Sequence, residues 1–177
     1  MEYKTTINGR ELLIREPVEG DAEAMVNGMK TVCGETDFLA RSAEEVDFTV
    51  EGEREFIRGV RNSGTDIMLL AFVNGEYAGN CSLMGSPLPR TRHRRTLGIA
   101  LSGEFTGMGI GTVMLEQLLK AANESGVEQV ELEVVAENAP ATALYKKFGF
   151  ETYGRLPQLM KYPDGRYADG ILMIKML

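Results

Sequence analysis

Three glycines in five positions, Gly107, Gly109 and Gly111, run directly into Thr112-Val113-Met114-Leu115-Glu116-Gln117-Leu118-Leu119-Lys120, and this stretch narrows what the chain can become more than any other. A loop backbone without Cβ atoms can turn consecutive N–H groups onto an anion without steric cost. Ile110, Val113, Met114, Leu118 and Ala121 recur at three- and four-residue spacing, which predicts an amphipathic helix behind the loop. The unpaired N–H groups and positive dipole end of that helix make loop plus helix a phosphate seat. A glycine turn opening a helix also serves plain strand-to-helix geometry, so the surrounding sequence has to decide. Two nucleotide readings are already weakened: no Gly-Lys-Ser/Thr follows the glycines, and no G-x-G-x-x-G fingerprint is present.

The 177 residues suit one domain, 1–177, with a full core, and 44% hydrophobic with 25% charged residues is the balance of a globular protein. Met1-Glu2-Tyr3-Lys4-Thr5-Thr6 lacks the basic-then-apolar layout of a signal peptide, and no apolar run approaches the ~20 residues that span a bilayer, so a cytoplasmic, non-membrane protein is expected. Cys33 and Cys81 have no paired spacing, and buried thiols are expected rather than a metal site or a disulfide. The net charge of −7 argues against nucleic acid as a partner and is compatible with a cationic substrate.

In chain order, Glu11–Glu16 reads as a first strand stopped by Pro17, and Asp21 as the cap of a helix to about Lys30, closed at Gly34. Ser42-Ala43-Glu44-Glu45 is a possible capping box. A charged amphipathic series over Glu53–Val60 follows, with Thr49, Gly52 and Gly59 read as interruptions. Asn74-Gly75 between two apolar runs predicts a type I′ hairpin of adjacent, central strands. Arg92–Leu101 reads as the strand leading into the glycine loop. Its basic cluster of Arg90, Arg92, Arg94 and Arg95 invites a phosphate reading but is expected to be solvated, and His93, the one histidine, is expected to be exposed and inert.

Val130, Leu132 and Val134 alternate with Glu131 and Glu133 in a further strand. Asn138 as N-cap, Pro140 in the first turn and Gly149 past the end punctuate a short helix. Glu151–Leu156, a turn at Tyr162-Pro163-Asp164-Gly165 and a strand over Ala168–Met176 complete an α/β chain expected to fold as one three-layer domain.

Leu97-Gly98-Ile99-Ala100-Leu101 with Gly107-Met108-Gly109-Ile110-Gly111, followed at a distance by Asn138-Ala139-Pro140-Ala141, Leu144-Tyr145 and Phe148-Gly149-Phe150, closely resembles the GCN5-related N-acetyltransferase (GNAT) superfamily. The likeness runs from the first strand to the last and is weakest between Thr31 and Ser63, where such proteins vary with substrate. It implies a mixed, mostly antiparallel sheet flanked by helices, with acetyl-CoA in a wedge between two splayed parallel strands ending near Leu101 and Val134. The backbone of Ile99, Ala100 and Leu101 would meet the pantetheine arm. The N–H groups of Gly107, Met108, Gly109, Ile110, Gly111 and Thr112 would hold the pyrophosphate, with Asn138 and Tyr145 on the other side. Thr106 stands where the family usually has Arg or Gln, which removes one side-chain contribution to phosphate binding.

The implied activity is direct acetyl transfer from acetyl-CoA to a primary amine, with no metal and no covalent enzyme intermediate. Tyr145 would donate a proton to the departing sulfur. Glu133 would be the base, since ribosomal-protein N-terminal acetyltransferases of bacteria carry a glutamate at the matching place and a tail similar to Asp164-Gly165-Arg166. A polyamine, an aminoglycoside, an amino acid or a protein N-terminus all remain open as acceptor, and homodimerisation is possible. The alternative is a non-catalytic acyl-CoA-binding or sensing module using the same wedge. A Rossmann-like nucleotide enzyme fits poorly, for want of an acidic ribose partner.

Overall fold

The computed structural model describes residues 1–177. The chain begins with a hairpin of β1 (Glu2–Ile7) and β2 (Arg10–Arg15). The strand expected first is therefore the second. The two are joined by Asn8-Gly9 at φ of 50° and 76°, the left-handed pair of a type I′ turn, and Asn74-Gly75 repeats that geometry at 49° and 85°. Helix α1 (Ala22–Glu35) runs through Gly34 and stops only at Thr36, whose backbone is extended. Asp21 precedes α1 but does not cap it. Its carboxylate takes both Arg15 guanidinium nitrogens at 2.7 and 2.8 Å and the Val18 N–H.

Ser42 and Glu45 form the expected capping box, around a single 3-10 turn. Helix α2 (Val50–Asn62) is continuous: Thr49, read as an interruption, is its N-cap and accepts the Gly52 N–H at 3.0 Å. Gly52 and Gly59 sit inside it because its amphipathic face is carried by Ile57 and Val60, both buried. After it come β3 (Ile67–Val73), β4 (Glu76–Gly85), β5 (Arg94–Leu101), α3 (Ile110–Glu124), β6 (Gln129–Val135), α4 (Ala139–Lys147), β7 (Glu151–Lys161) and β8 (Tyr167–Met176).

The strands make one eight-stranded sheet in the order β1-β2-β3-β4-β5-β6-β8-β7. It is antiparallel throughout except for β5 beside β6. β3 is apolar on both sides because both sides are covered. Leu69, Ala71 and Val73 join the core under α3, while Met68, Leu70 and Phe72 join a second core with Met25, Ile57 and Val60 under α1 and α2. These are the three expected layers, and α4 lies on the α3 side through Leu144, Tyr145 and Phe148.

The parallel pair sets up the site. β5 and β6 are partnered only at Arg94–Gln129, Arg95–Val130 and Thr96–Glu131. Beyond that point β5 stays with β4 as far as Leu101, and β6 stays with β8 as far as Val135, so the two strands are held apart by their outer partners. Gly79 lets β4 press against β5 there: a Cβ on it would stand 2.2 Å from the Ala100 carbonyl oxygen.

Candidate functional site

The loop that follows β5 is tied down before the glycines begin. Phe105 is buried, and Glu35, the last residue of α1, accepts the Gly103 N–H at 2.7 Å and the Ser102 hydroxyl at 3.3 Å. Thr106 donates its hydroxyl to Gly103 O at 2.7 Å and so braces the turn. Gly107 at φ 71° and Gly109 at φ 86° then reverse the chain into α3, a conformation costing an L side chain about 1–2 kcal/mol. Through this reversal the N–H groups of Gly107, Met108, Gly109, Ile110 and Gly111 find no acceptor within the chain, whereas those of Thr112 and Val113 both return to Gly109 O. Thr112 keeps only its hydroxyl for another partner. No acidic residue lies in the first turn of α3, so nothing there opposes a bound anion. The tip of the first hairpin supports the loop from outside, with Asn8 Nδ2 donating to Met108 O at 3.5 Å.

Ile99, Ala100 and Leu101 occupy the half of β5 that has lost β6, so one backbone edge is open to an added strand. Ile99 and Leu101 pack on the α3-side core, and Ala100 faces the other way. Across the split, Asn138 caps α4 by accepting the Ala141 N–H at 3.2 Å, which leaves its amide nitrogen for a ligand. Two turns later Tyr145 lies buried against Phe150, ring centroids 5.8 Å apart. Burial pushes its phenol up to about 12, and no partner in the chain takes the hydroxyl. Thr142, one turn before it on the same helix face, has a hydroxyl fully buried and unpartnered. Two free hydroxyls thus lie on the face α4 turns inward, Tyr145 expected from the sequence resemblance and Thr142 visible only in the structure.

The carboxylates of β6 divide. Glu131 pairs with Arg94 at 3.5 Å, while Glu133, exposed, enters no ion pair and faces the α1 and α2 side of the sheet. Tyr145 belongs to the α3 side. The two candidate catalytic groups therefore flank the split from opposite faces of the sheet. On the Glu133 side, a cavity of about 450 Å³ opens between the sheet and helices α1 and α2.

The basic cluster does not join the site. Arg95 is buried and donates to the carbonyls of Thr65 at 2.6 Å, Arg94 at 2.8 Å and Arg92. His93 is half-buried rather than exposed, its carbonyl bonded by the N–H groups of Glu128 and Gln129. Cys33 and Cys81 are both buried thiols, with burial raising the pKa of each. No three His, Cys, Asp or Glu side chains gather as a metal would need, and no helix is long and apolar enough to cross a membrane.

The sequence and fold have known relatives. A family model described as the acetyltransferase (GNAT) family matches residues 36–150. A GNAT-family acetyltransferase structure from Streptococcus pneumoniae is 32% identical and superposes with a TM-score of 0.91 over 94% of this chain and 99% of that one. An L-amino acid N-acetyltransferase of Escherichia coli is 28% identical over 60% of this chain and 66% of its own length. A [ribosomal protein bS18]-alanine N-acetyltransferase of the same organism is 36% identical over 42% of this chain and 50% of its own. The chain thus spans half to two thirds of these curated relatives. With the glycine loop, the parted parallel strands and the inward hydroxyl of α4 all in place, and with the family model covering most of the molecule, the chain belongs to the GNAT acetyltransferase family.

Proposed function

We propose that this protein transfers the acetyl group of acetyl-CoA to a primary amine by direct attack. The observation that carries the reading is the run of acceptor-free N–H groups from Gly107 to Gly111 at the mouth of the split between β5 and β6. Those groups suit a pyrophosphate, the open edge of Ile99–Leu101 suits an amide-bearing arm, and Asn138 Nδ2 suits the arm's far side. Bound there, acetyl-CoA supplies a thioester carbonyl that an unprotonated amine can attack. Glu133 receives the amine proton, directly or through a water molecule. As the C–N bond forms and the C–S bond breaks, the Tyr145 phenol gives its proton to the sulfur, then regains one from solvent. A buried phenol with a pKa about 12 stays protonated through the neutral range and so is always in the donating form.

The reading extends to residues 1–177 acting as a single N-acetyltransferase domain in the cytoplasm, with a second copy of the chain as a possible partner. The test is release of free CoA thiol from acetyl-CoA against a panel of amines. Amine-dependent release supports transfer. Tight binding of acetyl-CoA with no release by any amine would instead favour a non-catalytic acyl-CoA module.

A further inference from the structure

The cavity under α1 and α2 is walled by four methionines, Met25, Met29, Met68 and Met84, and by Phe48 and Phe56. Thioether and aromatic walls hold apolar groups of varied outline, because methionine adapts at little cost. One ionisable group lines it, Glu53 in the first turn of α2. Two other carboxylates near the start of α2 are paired: Glu51 with Arg54 and Arg58, and Glu19 with Arg58. Glu53 has no ion pair and is half-buried, and burial lifts its carboxyl above the usual range. Arg41 stacks over the Phe48 ring at 5.0 Å but is not part of the lining, and no Lys, Arg or His is. Asn80 donates to the Tyr77 hydroxyl at 2.8 Å, leaving its carbonyl oxygen open to a donor.

The strand register links this cavity to the split. Asn80 and Ser82 of β4, which line it, stand opposite Ala100 and Gly98 of β5, so the floor between cavity and split carries only a methyl group and a hydrogen. Strands lie ~4.8 Å apart, so a molecule seated over β4 reaches the split across a single strand of low relief. Glu133 stands beyond it on the same face. On the acetyl-transfer reading above, on which this inference rests, we propose that the acceptor is a primary amine attached to an apolar group of phenylethyl size with no carboxylate beside the amine. Its apolar part sits among the methionines, and Glu53 draws its positive charge. A carboxylate brought into this cavity would be desolvated without a cation to pair with and would face Glu53. The same chemistry is offered by a free arylalkylamine and by a polypeptide N-terminus with an apolar first residue.

Thiol release at saturating acetyl-CoA decides the matter with phenylethylamine, phenylalanine amide, phenylalanine, ethanolamine and a tetrapeptide amide beginning with phenylalanine as acceptors. Phenylethylamine and phenylalanine amide should exceed both phenylalanine and ethanolamine in kcat/KM by about tenfold or more, the order expected when a buried group is left unpaired or an apolar group is missing. Glu53→Gln should shrink the amide-over-acid ratio several-fold, and Glu53→Asp, which keeps the charge, should retain it. A faster tetrapeptide assigns the amine to a polypeptide and a faster phenylethylamine to a free amine, and either supports the chemistry. Turnover that favours phenylalanine or ethanolamine, or a ratio unmoved by Glu53→Gln, overturns this inference and leaves acetyl transfer standing. Bound acetyl-CoA with no turnover on any acceptor overturns both.

Discussion

The hydroxyl of Tyr145 is the one phenolic group that α4 buries without giving it a partner, and that condition separates its chemistry from its packing. Tyr145→Phe keeps the ring against Phe150 and removes only the donor, so kcat should fall ~10²- to 10³-fold with the KM for acetyl-CoA changed less than a few-fold, about 3–4 kcal/mol of transition-state stabilisation. Full kcat with a raised KM would make the residue a wall for the cofactor, the sulfur taking its proton from water. Glu133 offers a comparison within one strand. Glu133→Gln should lower turnover ~10²-fold and leave CoA affinity intact, whereas Glu131→Gln, losing only the bond to Arg94 near the closed end of the parallel pair, should cost far less. Equal losses from both would point to a shared electrostatic effect rather than a base. The alternation of β6 in the sequence told that the two glutamates share a face; which of them Arg94 engages depends on the parallel register.

At the scale of single elements, the glycine loop is held by three others: α1 through Glu35, the first hairpin through Asn8, and α3 through its own first turn. Its conformation makes a sharp test. Gly109→Val places a β-branched residue at φ 86° and should weaken CoA binding well over tenfold, ~1.4 kcal/mol or more, by turning the neighbouring N–H groups off the anion. Gly64→Val, at φ 66° with open space around it, carries the same backbone penalty away from the site and should leave affinity unchanged. Titration calorimetry on the two folded variants distinguishes them, and unchanged affinity in Gly109→Val would remove the loop from the site. Punctuation made these elements legible where it was local: Asn138, Gly149 and Asn74-Gly75 act as the sequence implies. Asn8-Gly9 carries the same turn signal, and its hairpin completes the edge of the sheet. Asp21 departs from the expected helix cap because its carboxylate is held by a tertiary partner, Arg15, and by the Val18 N–H before the helix.

For the molecule as a whole, two desolvated phenols, the buried Tyr145 and the half-buried Tyr77, tie stability to alkaline pH. Burial raises both Tyr77 and Tyr145 from 10.0 to about 12, so between those values the unfolded chain ionises and the folded one does not. The unfolded state then binds fewer protons and stability falls as pH rises through that window, by roughly 3 kcal/mol per phenol. Urea unfolding across pH 9 to 12 should show that loss, and Tyr145→Phe should remove about half of the part due to this pair. An unchanged slope would mean that the phenol is not buried in solution. What the sequence determined by itself was whatever rests on short-range periodicity and turn chemistry: the glycine loop and its helix, the capped α4, the central hairpin, and the two motifs that mark the family. What only the tertiary structure decided was long-range: the short β5–β6 pairing that parts the strands, the opposite faces given to Tyr145 and Glu133, the burial of Arg95, and the convergence of Glu53 with four distant methionines on one cavity. No local pattern encodes these, because register and packing are settled by partners tens of residues away, and a charge is free or spent according to which of them reaches it first.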